Sequence, residues 1–158
     1  MDKKKLLVLG IFLTALSVLS GCASVPMASD EKDAAAKTFR VQPGKSNIYV
    51  YRNESIGAAV KMEVNLDTTE ITATAANTYL LLTVDPGKHT ITSHAEDDDT
   101  LTVDAQPNKN HFVWQEVKMG ILYARTKLHL VDEQAGKIGV SECKLIEPSN
   151  TGIDAGKK

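Results

Sequence analysis

A run of apolar residues long enough to cross a membrane is missing: the stretch from Leu6 to Val18 stops short of the ~20 that a spanning helix needs. A surplus of positive charge is missing too, since 18 lysines and arginines face 20 aspartates and glutamates. That balance excludes a nucleic-acid binder and a polybasic reader of membranes, both of which need clustered cations to neutralise phosphates. Absent as well are a Gly-rich phosphate loop, a nucleophile elbow and a zinc-protease helix, so no class of enzyme and no cofactor finds support. His89, His94, His111 and His129 fall on separate expected strands or on opposite faces of one. With no i, i+4 or CxxC-type spacing among them, there is no metal site to assign.

What is present begins with Lys3, Lys4 and Lys5, then the low-charge run to Val18, then Leu19-Ser20-Gly21-Cys22. A charged start, a short greasy middle and small residues at the end are the layout of a secretory signal peptide. The last four residues resemble the lipobox of bacterial lipoproteins, which implies acylation of Cys22, with fatty chains such as palmitate, and a cut just before it. Ala23 in place of aspartate resembles the default sorting signal for the outer membrane, with the domain facing the periplasm. Removal of residues 1–21 takes away three lysines and one aspartate, which leaves 15 basic and 19 acidic side chains and a net charge of −4. With Cys22 acylated, Cys143 has no partner for an intramolecular disulfide. It reads first as a buried, inert thiol, next as half of an intermolecular disulfide and last as a nucleophile.

Residues 22–38 read as a flexible tether with one helical turn around Asp33 to Lys37. As a coil of about 18 residues it would hold the domain on the order of 25 Å from the membrane. Residues 39–147 form the domain, and residues 148–158 a disordered tail. In Ala59 to Leu66, Val60, Met62, Val64 and Leu66 alternate with Ala59, Lys61, Glu63 and Asn65, as a half-buried strand requires. Ile48 to Arg52 precedes it, and Tyr79 to Val84 is apolar on both faces, as in a central strand covered on both sides. Strand signals continue at Lys88 to Ala95, Thr100 to Ala105, Asn110 to Lys118 and Ile121 to Val131. The fold class is all-β, an antiparallel β-sandwich of about seven or eight strands, with a short C-terminal helix. Asp132 would cap that helix, Ala135, Ile138 and Cys143 would form its apolar side, and Gly136 and Gly139 count against it.

Asp85-Pro86-Gly87-Lys88 and Gln42-Pro43-Gly44-Lys45 both suit type II turns. Their shared residues follow from turn chemistry before a strand as readily as from an internal repeat. Glu96-Asp97-Asp98-Asp99 is either a solvated hairpin turn or a loose set of Ca²⁺ ligands, and it lacks the spacing of an EF-hand. A two-residue turn at Met119-Gly120 would pair Trp114 with Arg125 and place Phe112, Trp114, Tyr123 and Arg125 on one face, with Arg125 over the indole. That face is a candidate recognition surface for a glycan, a peptide or an envelope protein, or else the surface that the segment after Val131 covers.

PGKSNIYVYR (Pro43 to Arg52), PGKHTI (Pro86 to Ile91) and NKNHFVWQEV (Asn108 to Val117) resemble the bacterial lipoprotein family known as domain of unknown function 2846. The P-G-x-H-x-I element also resembles PEGA-type β-sandwich modules. The resemblance implies a small exported β-sandwich with no established activity and no catalytic residues to carry over. Asp67-Thr68-Thr69-Glu70 departs from the Asn-Gly or Asp-Gly turn of such modules. The expectation is a lipid-anchored envelope protein, structural or binding in role, whose oligomeric state the sequence leaves open.

Overall fold

In a computed structural model of the chain, which describes residues 24–148, the central strand is the one richest in Tyr, Val and Ile. The expectations for the signal peptide, Cys22 and the tail beyond Pro148 lie outside the described residues. Strand β1 (Ser46–Arg52) is buried at every position. Its side chains alternate, so Ile48 and Val50 enter one apolar cluster while Tyr49 and Tyr51 enter another on the opposite side. A strand covered on both faces needs apolar residues at both parities.

The other elements are α1 (Asp30–Ala36), β2 (Met62–Leu66), β3 (Thr69–Thr74), β4 (Thr78–Val84), β5 (Gly87–His94), β6 (Asp99–Ala105), β7 (Asn110–Met119), β8 (Ala124–Val131), α2 (Glu133–Ser141) and β9 (Lys144–Leu145). The strands form a five-stranded sheet, β8-β7-β1-β4-β9, and a four-stranded sheet, β3-β2-β5-β6. The all-β sandwich expected from the sequence is therefore present, with nine strands where about seven or eight were counted. Most neighbours run antiparallel, but β1 with β7 and β4 with β9 run parallel. The chain leaves the larger sheet after β4, builds β5 and β6 in the other, and returns beside β1 in the same direction. Strand β3 escaped the sequence reading because TEITAT carries one large apolar residue; its threonines fit a pleated edge.

Between the sheets lie Ile48, Val50, Val64, Leu80, Leu82, Ile91, Val103, Val113 and Leu128, among others. The apolar side expected for β2, at Met62, Val64 and Leu66, is buried, and Val113 and Val117 of β7 are buried as well. β4 is covered on both faces, also as read. Val60 is not in β2, and Leu122 is exposed in a turn.

The outer face of the larger sheet is closed by the helices. Asp132 caps α2 as expected, its carboxylate accepting from the Ala135 amide at 2.9 Å. The buried side, however, is Gly136, Gly139 and Val140, while Ile138 is 56% exposed. The expected Ala135 and Ile138 face points the wrong way because the sheet beneath is already filled by rings. A Cβ on Gly136 would overlap the Phe112 ring, and one on Gly139 the Tyr51 ring. The two glycines weaken the helix by propensity and permit its docking.

The segment read as a tether is folded onto the domain. Ser29 caps α1, the carboxylate of Asp33 accepts from the Leu145 amide at 3.0 Å, and Met27 bridges to Ile146. Small residues such as Ala36 let this short helix lie against Tyr49, whose hydroxyl donates to the Ala36 carbonyl at 2.9 Å. At Gln42 to Lys45 the type II reading holds, with Gly44 at φ 79° and the Lys45 amide donating to the Gln42 carbonyl at 3.0 Å. The second turn differs: Gly87, at φ 147°, already belongs to β5.

Gly136→Ala tests the docking. In an exposed helix the change would gain up to ~1 kcal/mol; here overpacking against Phe112 is expected to cost about 1–3 kcal/mol. Urea denaturation should show a net loss, and a net gain would contradict the close approach.

Candidate functional site

The four residues read as one face are separated by the fold. Phe112 is 1% exposed, stacked on Tyr49 with centroids 5.1 Å apart and roofed by Gly136. Trp114 is half-buried and stacks on His129 at 5.1 Å; its indole nitrogen is buried with no hydrogen-bond partner among the described residues. Arg125 does not lie over it. The register pairs Trp114 with His129 and Lys118 with Arg125, because the connection is the four residues Gly120 to Tyr123 and not Met119-Gly120. A shift of four keeps each side chain on its face and moves every partner roughly 13 Å along the strand.

What holds this longer turn is Glu96, one of the acidic residues read as a solvated loop. Its carboxylate accepts from three successive amides, Ile121 at 2.9 Å, Leu122 at 2.7 Å and Tyr123 at 2.9 Å. Arg125 donates to the same carboxylate at 3.1 Å and pairs with Asp97 at 2.9 Å. Asp99 takes Lys127 and the Leu128 amide, and Asp98 pairs with His94. The acidic run is thus a clasp on the β7–β8 hairpin. Gly120 belongs to it, since a Cβ there would collide with the Tyr123 carbonyl and the Glu96 carboxylate. The amides of Tyr123, Ile121 and Leu122, with Arg125 beside them, pull the Glu96 carboxyl down to about 2.

A second charged group shapes the neighbouring loop. Arg52 is fully buried at the end of β1 and donates to the carbonyls of Val60 at 2.8 Å, Ile56 at 3.0 Å and Gly57 at 2.6 Å. Gly57 in turn approaches Val117 and Ala124 at the base of the hairpin. Burial of its guanidinium works against the charge and lowers its pKa; the three carbonyls take its two terminal nitrogens, while Nε is buried with no hydrogen-bond partner among the described residues.

The result is an apolar tip. Met119, Ile121, Leu122 and Tyr123 are 86%, 83%, 88% and 51% exposed, and Ile56 on the adjoining loop is 59% exposed. The sequence reading placed Tyr123 on the aromatic face and did not find this cluster. Ile121, Leu122 and Tyr123 are three successive large apolar residues after Gly120, and the strand expected from Ile121 onward absorbed them.

Elsewhere the reactive groups are occupied. Cys143 is buried, and burial pushes its thiol up to about 12. His89 bonds Asp67, and His129 bonds Glu116. Among the described residues, no group of three or more His, Cys, Asp or Glu side chains is placed to share a metal ion.

Fold and surface define a β-sandwich closed by a helical layer, with a clasped apolar hairpin. The family of proteins of unknown function DUF2846 matches residues 42–126, from the type II turn into β8, and the chain belongs to that family. A protein of Haemophilus influenzae described as uncharacterized is 34% identical over 130 residues, which span 81% of this chain and 77% of that protein.

Two outcomes follow. Because folding lowers the Glu96 pKa, its clasp supports the hairpin fully above the ordinary value of 4.5 and is lost as the pH falls from there toward about 2. Hydrogen exchange at Ile121, Leu122 and Tyr123 should accelerate over that window, and at neutral pH in Glu96→Gln; unchanged protection in the variant would contradict the clasp. A thiol probe should label Cys143 only in the unfolded protein, and rapid labelling of the native chain would show the site to be open.

Proposed function

We propose that the chain is a lipid-anchored module of the bacterial cell envelope that works by contact, with no catalytic role. In this reading residues 1–21 export it, Cys22 is acylated, and the sandwich sits at the outer membrane facing the periplasm. The observation that carries the proposal is Leu19-Ser20-Gly21-Cys22 behind three lysines and a short greasy run. Acyl chains contribute about 0.8 kcal/mol per buried CH₂, so two or three of them hold a domain of this size essentially permanently. The P-G-x-H-x-I element supports a kinship with PEGA-type modules.

The tip is the surface best suited to contact, since large exposed apolar residues held in one conformation mark interaction sites. Binding of a glycan or peptide across Phe112, Trp114, Tyr123 and Arg125 has less support, because Phe112 is sealed beneath α2 and Arg125 is engaged by Glu96 and Asp97. Cys22→Ala is expected to leave a precursor that keeps residues 1–21 and takes up no labelled fatty acid. A variant that is processed and membrane-bound like the wild type would overturn the anchor.

A further inference from the structure

We propose that the edge of β4 beyond β9 is a docking site for an extended segment of a partner protein, which adds a short strand beside Leu81 and Thr83 and sets a carboxylate against Arg40. The proposal rests neither on the lipid anchor nor on the hairpin tip, which lies at the other end of the larger sheet.

The backbone is the first observation. β9 accompanies β4 at Thr78 and Tyr79 and no further. The Lys144 amide donates to the Asn77 carbonyl at 3.0 Å and the Ile146 amide to the Tyr79 carbonyl at 2.9 Å. In a parallel ladder the next donor of that series is residue 148 and the next acceptor the Leu81 carbonyl. Residue 148 is a proline and has no N–H to give. The chain after Ile146 turns instead to the N-terminal segment, where the Glu147 amide donates to the Pro26 carbonyl at 2.9 Å. Leu81 and Thr83 share the parity of Tyr79, so their amides and carbonyls point away from β1, toward the side that β9 has left. Among the described residues no strand takes them. An open edge of this kind is a template for another strand.

The second observation is the space beside that edge. A cleft of about 390 Å³ has Leu81 and Thr83 as its floor, with Ala35 and Ala36 of α1 on one side and Ile146 and Pro148 on the other. The helical layer ends here: Tyr79 is buried, with its hydroxyl donating to the Asp33 carbonyl at 3.3 Å, whereas Leu81 and Thr83 on the same face are half-buried. Asn47 donates to the Arg40 carbonyl and accepts from the Thr83 hydroxyl, each at 3.0 Å, which holds Arg40 at the level of Thr83.

The third is charge. Lys32, at the cleft, pairs with Glu147 at 2.7 Å, while the Arg40 guanidinium has no ion pair among the described residues. One cation is left over, on a protein with more acidic than basic side chains. A strand repeats its face every second residue, roughly 7 Å along. The segment that fits therefore carries an apolar side chain at the level of Leu81 and, two positions away, an aspartate or glutamate at the level of Thr83. Main-chain pairing supplies affinity and the two side chains supply selection; an acyl chain offers the open amides and carbonyls nothing.

The test uses the full acylated chain, isotopically labelled for NMR in detergent micelles, with two peptides that cover both strand directions: acetyl-Thr-Ile-Thr-Glu-Thr-amide and acetyl-Thr-Glu-Thr-Ile-Thr-amide. One of them should bind saturably at millimolar concentration or below and slow hydrogen exchange at the Leu81 and Thr83 amides. Arg40→Glu should weaken that binding by about tenfold or more, and lysine in place of the peptide's glutamate should restore it. Binding that leaves exchange at Leu81 and Thr83 unchanged would overturn the strand addition, and binding indifferent to Arg40→Glu would overturn the assigned chemistry. Failure of both peptides, with and without residues 149–158, would overturn the site itself. Protection of the two amides that rises with protein concentration and no peptide would give the edge to a second copy. Binding seen only after removal of residues 149–158 would give it to this chain's own C-terminal segment. Either result would contradict a partner protein as the occupant.

Discussion

The contact between the glycine edge of α2 and the rings of Phe112 and Tyr51 sets the rest of the structure. A helix with side chains at positions 136 and 139 would stand off the sheet, and the aromatic layer of Phe39, Tyr49, Tyr79 and Phe112 would face water. With glycine there, the helix closes over β1 and β7, α1 covers the neighbouring ground near Tyr49 and Tyr79, and β1 becomes a strand buried on both sides. Burial then raises the phenols of Tyr49 and Tyr51 to about 12, which keeps them neutral in the core. Once the outer face is sealed, the open apolar surface is at the end of the β7–β8 hairpin.

Two ions do for the loops what α2 does for the sheet. Arg52 gathers carbonyls and Glu96 gathers amides, each replacing water as the partner of several backbone groups at once. Between them a polar chain runs from Thr74 through Gln115 and Ser93 to Thr126, joining the two sheets below the tip. These contacts fix two loops that the sequence alone would leave to wander.

Much of the fold was legible because its signal is local. Alternation in β2 and the double-faced apolar run in β4 follow from a period of two, and Asp132 announces the helix start by its own chemistry. What stayed hidden depends on partners distant in sequence. Nothing around Gly136 says that a phenyl ring lies beneath it, and a propensity scale scores the residue only as a weak helix former. Likewise the hairpin register hangs on Glu96, which comes some two dozen residues before the turn it clasps. Residues 22–38 looked like a tether because their composition is small and charged; one carboxylate, Asp33, reaching the Leu145 amide helps join the described part of that segment to the domain. For the candidate surface, Tyr123 was found and its apolar neighbours were not, since exposure is a property of the turn and not of the residues.

The family match stops in β8, short of α2 and β9, so the helical layer is the part that most needs direct examination. Hydroxyl-radical footprinting of the folded chain examines both halves of the account at once. Met119, Leu122 and Tyr123 should be oxidised heavily, and Tyr49, Tyr51 and Phe112 should be spared. Oxidation of Tyr51 and Phe112 at rates comparable to Tyr123 would show that α2 does not close the aromatic face, and the structural account would fail with it.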